Sequence, residues 1–186
     1  MLGTNSRGRI SKCWDRYRDP RRRMTDPHEV LVDIAEYRVG AGADILVALG
    51  LSSCVAVAVH DPVTNIGGLA HILLPSPSLT RERGKPGKFP QTAIPLLVDG
   101  MIEAGAGRRR LHARLIGGAN MFGALLQGRT MPMGERNLAA TRAVLRAERI
   151  PVSGEATGGD FGRSLRFAVD DGRIEIRAVG RDLTAL

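Results

Sequence analysis

The sequence predicts a mixed α/β or α+β domain, and three observations predict it. Short apolar runs with two-residue alternation recur along the chain, each bounded by Gly, Pro or Asp. Two longer segments carry apolar residues at helical spacing. Strands and helices do not alternate regularly, which excludes a simple βαβ series. At 186 residues the chain is long enough for one domain with a sizeable core.

Val30 to Val39 and Asp44 to Leu49 read as strands, punctuated by Gly40, Gly42 and Gly50. Cys54 to His60 sets Val55, Val57 and Val59 against Ala56 and Ala58, the pattern of a half-buried or buried strand. Asp61-Pro62 opens a turn, and Gly67-Gly68 leads into a strand ending at Leu74-Pro75. Residues 76–89 are polar and hold Gly84, Pro86 and Gly87, a surface loop whose Lys85 to Lys88 stretch is a solvated rim. Thr92 to Ala104 is a helix with Ile94, Leu97, Val98, Met101 and Ile102 on one face and Gly105 as its stop. Leu111, Ala113 and Leu115 alternate with His112 and Arg114 in a strand ended by Gly117-Gly118, a pair that backbone geometry requires. Met121 and Phe122 are expected in the core. Glu135 to Arg149 is a second helix, with Leu138, Thr141, Val144 and Leu145 inward and Pro151 beyond its end. Leu165 to Val169 and Ile174 to Ile176 flank Asp170-Asp171-Gly172 as a hairpin.

Charge divides the chain. The net charge is +8, but residues 1–24 carry eight basic and two acidic side chains, and the remainder is nearly balanced. Residues 1–27 have no hydrophobic periodicity and read as a disordered basic extension; the domain proper is expected over 28–182. Met24, at the end of that extension, is an alternative start of translation. A near-neutral domain argues against specific nucleic-acid binding, and only the extension could give salt-sensitive polyanion contact. No apolar stretch reaches the ~20 residues that span a bilayer, so no membrane insertion is expected. Two cysteines and no export signal predict a reduced, cytoplasmic protein without a disulfide framework.

The chemistry concentrates in residues 49–75. If Asp61 to Thr64 is a four-residue hairpin loop, His60 faces Asn65 and Cys54 faces His71. Directly opposed residues share a face with Cβ atoms ~4.5–5.5 Å apart. A thiolate beside an imidazolium is a competent nucleophile at neutral pH. Gly50-Leu51-Ser52-Ser53 ahead of it can aim backbone N–H groups at an oxyanion. Acyl transfer or amide hydrolysis follows from that set. A cysteine in an apolar strand is equally a small buried hydrophobe, and a strand-end histidine is equally a hydrogen-bonded one, so the residues alone leave both readings open. Cys13, in the extension, is incidental. His28, His60 and His112 lack metal-ligand spacing with either cysteine, so neither a metal nor another cofactor is implied.

GLSSCVAVAVHDPVTNIGGLAHILLP at 50–75, GKPGKFPQTAIPLL at 84–97, ARLIGGANMF at 113–122, MGERN at 133–137 and EATGGDFGRSLRF at 155–167 together resemble the CheD family of chemoreceptor glutamine deamidases, in order and across the whole domain. The resemblance implies hydrolysis of glutamine side-chain amides on methyl-accepting chemotaxis receptors, with Cys54 as nucleophile and His71 as base. It also implies a CheC-type phosphatase as partner. It implies a layered α/β sandwich similar to the catalytic domain of the cytotoxic necrotizing factor deamidases. The family places a threonine five or six residues before the cysteine to orient the histidine; here Leu49 and Ala48 stand there, and Ser52 replaces a usual glycine. Ser52, Ser53 and Thr92 are the candidate substitute hydroxyls. A relative that keeps the fold and partner contacts but works as a binding module is the alternative reading.

Overall fold

The computed structural model describes residues 28–81, 84–121, 131–178 and 184–186. The expected extension over 1–27 and Cys13 lie outside the described residues. Ten strands form two five-stranded sheets, with two α-helices and three short 3-10 turns among the described residues.

The strands are β1 (His28–Leu31), β2 (Tyr37–Ala41), β3 (Asp44–Leu51), β4 (Val55–Asp61), β5 (Ile66–Ile72), β6 (His112–Gly117), β7 (Val152–Thr157), β8 (Arg163–Ala168), β9 (Ile174–Ala178) and β10 (Thr184–Ala185). The helices are α1 (Pro90–Glu103) and α2 (Met133–Ala147). The first sheet has the order β1-β3-β8-β9-β10 and the second β2-β5-β4-β6-β7. Pairing is antiparallel except for β1 with β3 and β6 with β7.

The architecture is three-layered, a mixed α+β fold as the sequence implies. Val55, Val57, Val59, Ala70 and Ile72 leave one face of the second sheet and pack on Ile94, Leu97, Val98 and Met101 of α1 and Leu138 and Leu145 of α2. Ala56, Ala58, Leu69 and Ile116 leave the other face and meet Leu46, Leu165, Phe167 and Ile176 of the first sheet. The strict alternation in β4 thus serves two cores at once. Each fully buried aliphatic side chain contributes roughly 1.5–3 kcal/mol by leaving water, so the four α1 residues anchor that helix. Ile102, expected with them, is partly exposed at the stripe's edge. Gly105 closes α1 as expected: its φ is +106°, its N–H bonds Ile102 O, and Ala106 N–H bonds Met101 O, a Schellman closure.

Several expectations need correction. Val30 to Val39 is not one strand. The chain turns at Asp33–Glu36, where Glu36 N–H bonds Asp33 O at 3.0 Å and Ala35 takes φ +65°, and β1 and β2 join different sheets. β7 carried no sequence signal, because Val152–Thr157 is a half-exposed edge strand without apolar alternation. Gly67-Gly68 does not lead into a strand but lies inside β5, where added Cβ atoms would stand 2.9 Å from Phe167 and 2.6 Å from Leu97. Met121 is half-exposed rather than core, and Phe122 lies outside the described residues. Lys88 is buried, not solvated: the turn Pro86–Lys88 packs under β5, with Leu73 and Leu74 N–H donating to Lys88 O. Sheet pairing also continues past the expected boundary at 182, since β10 pairs with β9 and Leu186 N–H bonds Ile174 O.

Candidate active site

Cys54 occupies the bend between β3 and β4, and His71 lies near the end of β5. The hairpin between β4 and β5 has four loop residues, but they are Pro62 to Asn65, one position later than expected. Asp61 pairs with Ile66 and Asn65 turns the chain at φ +51°. Every facing pair is thereby shifted: His71 faces Ala56, not Cys54. Direct opposition is therefore wrong. Cys54 and His71 nonetheless share the inter-sheet face, because Cys54 precedes Ala56 by two positions and side chains alternate along a strand. By register they stand in a diagonal relation, with Cys54 one residue beyond the last rung, Val55–Ile72. The small Ala56 opposite leaves the imidazole its space.

His71 is 1% exposed, and Nδ1 lies 3.3 Å from Val32 O. A carbonyl only accepts, so Nδ1 carries the proton and Nε2 presents a lone pair. That Nε2 is buried without a hydrogen-bond partner among the described residues. The ring is also fixed through its backbone: His71 N–H bonds Glu36 O and Ala35 N–H bonds His71 O, both at 2.9 Å. Burial lowers the His71 pKa, with the Val32 contact and the Asp33 charge opposing. Burial raises the Cys54 pKa, opposed by its own backbone N–H. Cys54 is 5% exposed, and the resting pair is a neutral thiol and a neutral imidazole not joined by a hydrogen bond.

The loop before Cys54 is held by its carbonyls. Ala119 N–H donates to Ser52 O at 2.6 Å, Asn137 Nδ2 to Ser53 O at 2.8 Å, and Gly118 N–H to Cys54 O at 2.8 Å. Gly117 and Gly118 take φ +106° and +64°, and a Cβ on Gly117 would stand 2.3 Å from Cys54 O, which is why this pair is glycine. Ser52 and Ser53 are half-buried, and their N–H groups make no backbone hydrogen bond among the described residues. They stay free to face an oxyanion.

The expected substitute hydroxyls do not reach the histidine. Thr92 is exposed at the start of α1, and its Oγ1 donates to Pro86 O at 2.5 Å. Neither serine hydroxyl is joined to the His71 ring. Ala48, where the sequence lacks a hydroxyl, is fully buried in the core that also holds Val32 and Cys54. The orienting group is instead the Val32 main-chain carbonyl, for which a sequence carries no signature. Asn137 was also missed as an individual residue, although its motif MGERN was singled out. Among the described residues no group of three or more His, Cys, Asp or Glu is placed to hold a metal ion. No helix among them is long and apolar enough to cross a membrane.

These features define a class of protein: a two-sheet α+β domain with a thiol and an imidazole on one face of adjacent chain segments, beneath a carbonyl-pinned loop. A family model described as CheD chemotactic sensory transduction matches residues 73–178. Proteins named "Probable chemoreceptor glutamine deamidase CheD" align over nearly their whole length. One from Moorella thermoacetica is 41% identical over 86% of this chain and 96% of its own. One from Clostridium novyi is 39% identical over 85% and 98%, and one from Caldanaerobacter subterraneus subsp. tengcongensis 38% over 80% and 92%. The chain belongs to the CheD family. A solved structure, hypothetical protein YfiH of Bacillus licheniformis, covers 81% of this chain and 68% of that one at 13% identity and TM-score 0.38, too slight a likeness to bear on the fold.

Proposed function

We propose that this protein hydrolyses glutamine side-chain amides to glutamate on methyl-accepting chemotaxis receptors, with Cys54 as nucleophile and His71 as base. The observation that carries the reading is the 38–41% identity, over nearly their full length, to relatives named for that activity. The shared face of Cys54 and His71 supports it. Nε2 of His71 takes the Sγ proton as sulfur bonds to the carboxamide carbon. The tetrahedral oxyanion collapses and expels ammonia, to which His71 returns the proton. Water, deprotonated by His71, then cleaves the thioester and releases glutamate and free thiol. The separation of the resting pair agrees with apo sites, where catalytic hydrogen bonds tighten only on substrate binding. Ser52 and Ser53 serve through their N–H groups at the oxyanion; Thr92 has no part.

The same reading makes the folded unit from residue 28 onward the catalytic unit, sited in the cytoplasm with the receptor signalling domains. Lys85, ion-paired with Glu36 at 3.6 Å, stands on the rim toward an acidic receptor helix. A CheC-type phosphatase is the second partner, and the sandwich of the cytotoxic necrotizing factor catalytic domain the fold relative. Ammonia release from a receptor cytoplasmic fragment tests the function. Wild type should release it, and Cys54→Ala and His71→Ala should not; equal release by wild type and Cys54→Ala refutes the enzyme. The covered sulfur and the unpartnered Nε2 favour a second reading, a binding module. It requires receptor or phosphatase binding with no ammonia from wild type.

A further inference from the structure

The β4–β5 ladder ends at Val55 and Ile72. Beyond that rung the chains part: Leu73 and Leu74 N–H turn to Lys88 O at 3.2 and 3.0 Å, and Ser53 enters the nucleophile bend. One side chain closes the fork. Asn137 Nδ2 donates to Ser53 O at 2.8 Å and to Leu73 O at 3.0 Å, spending both amide protons. One of those carbonyls directly precedes Cys54; the other follows His71 by two positions. Asn137 thus stands in for the missing rung between the two segments that carry the chemistry.

The amide is built into place. Asn137 is fully buried in the first half of α2. Three residues earlier, a Cβ on Gly134 would meet Gly118 O at 2.4 Å and Ala119 O at 2.6 Å, so only glycine lets α2 press on the segment that pins Ser52 and Cys54. The Oδ1 of Asn137 is buried without a partner among the described residues.

Peptide geometry gives the clamp a consequence. In a trans peptide the C=O and the next N–H point in opposite directions. Ser53 O is drawn toward α2, which packs on the helix-side core, whereas Cys54 belongs to the inter-sheet core. The Cys54 N–H is thereby aimed away from the helix, toward the face that bears the sulfur. We propose that Asn137 is a positioning residue for the deamidation: it fixes the Ser53–Cys54 peptide so that the Cys54 N–H faces the sulfur and the developing oxyanion. This rests on Cys54 being the nucleophile. Asn137 itself touches neither sulfur nor imidazole.

The test is Asn137→Ala and the milder Asn137→Ser in the full chain, with Thr141→Val, one turn along α2, as control. Two readouts apply to the folded fraction: ammonia release from a receptor fragment, and iodoacetamide alkylation of Cys54 against pH, located by peptide mass. The expected result is a fall in kcat of at least tenfold, toward the ~10²-fold cost of losing one oxyanion donor, with KM little changed and the alkylation midpoint moved to higher pH. The control should keep wild-type values. A folded Asn137 variant with wild-type kcat and midpoint overturns the proposal, and so does failure of both variants to fold, which assigns the residue to stability. Alkylation needs no substrate, and a Cys54→Ala enzyme that still releases ammonia would instead refute the underlying reading.

Discussion

Gly117→Ala is the sharpest single perturbation of this site. Gly117 pairs with Val55 in the β4–β6 ladder and has φ +106°. A Cβ there would stand 2.3 Å from Cys54 O and 3.4 Å from Leu51 Cβ. Ordinary carbon–oxygen contact needs about 3.3 Å, so the Cys54 carbonyl must retreat by about 1 Å. That movement breaks the 2.8 Å bond from Gly118 N–H. Forcing alanine into positive φ costs about 1–2 kcal/mol, and the lost hydrogen bond about 1 kcal/mol. Together they amount to about 2–3 kcal/mol, a Tm decrease of about 5–10 °C for a domain of this size. Misplacing a reacting group by about 1 Å costs on the order of 10²-fold in rate, so kcat should fall about that far. Gly158→Ala separates strain from displacement: Gly158 has φ +73°, but an added Cβ meets nothing within 4 Å. It should lose stability and keep kcat. Calorimetry and ammonia release at saturating receptor fragment measure both. A Gly117→Ala protein with wild-type kcat, whatever its Tm, would refute the coupling between this glycine and turnover through the Cys54 bend.

Three further outcomes are expected. Because burial raises the Cys54 pKa, site-resolved alkylation of resting enzyme should show a midpoint above that of the same cysteine in the denatured chain; a lower one would mean a preformed thiolate. Burial lowers the pKa of both His71 and His60, so the unfolded chain binds protons first as pH falls below about 6.5. The urea midpoint should therefore drop from pH 7.5 to 5, and a flat or rising midpoint contradicts neutral burial. Arg149 closes α2 at φ +58° with Ile150 N–H on Leu145 O, a Schellman closure without glycine. Arg149→Gly should raise stability by about 0.5–1 kcal/mol in thermal melts, since glycine relieves the left-handed strain; unchanged or lowered stability refutes the assignment.

The order of elements was readable because β4, β6 and the helices obey simple periods, and their apolar residues face cores. The register of the hairpin was not. Asp61-Pro62 marks a turn, yet whether Asp61 belongs to loop or strand depends on Asn65 adopting positive φ, which asparagine favours over other non-glycine residues but does not always take. A one-residue displacement of the loop moved the partner of His71 from Cys54 to Ala56 while keeping the shared face, because both ends of the hairpin shifted together. The early break between β1 and β2 was hidden for a related reason: Ala35 turns the chain without a glycine or proline to announce it.

The orienting contact of His71 shows where side-chain reasoning stops. A side-chain hydroxyl is the group a sequence can offer for this role, and Ser52, Ser53 and Thr92 are the ones near enough in the chain to be considered. The turn at Asp33–Glu36 instead brings the Val32 carbonyl to Nδ1, and Ala35 and Glu36 bond the backbone of His71 itself. A buried carboxylate at Nδ1 would raise the imidazole pKa, whereas a carbonyl adds no charge beside the ring. A carbonyl fixes the tautomer and burial lowers the ring's pKa, and both favour an Nε2 that keeps its lone pair. Ala48 is a packing residue, fully buried in the core that also holds Val32 and Cys54. The segment from Val32 to Glu36, which connects the two sheets, thus holds His71 through both its Nδ1 and its main chain.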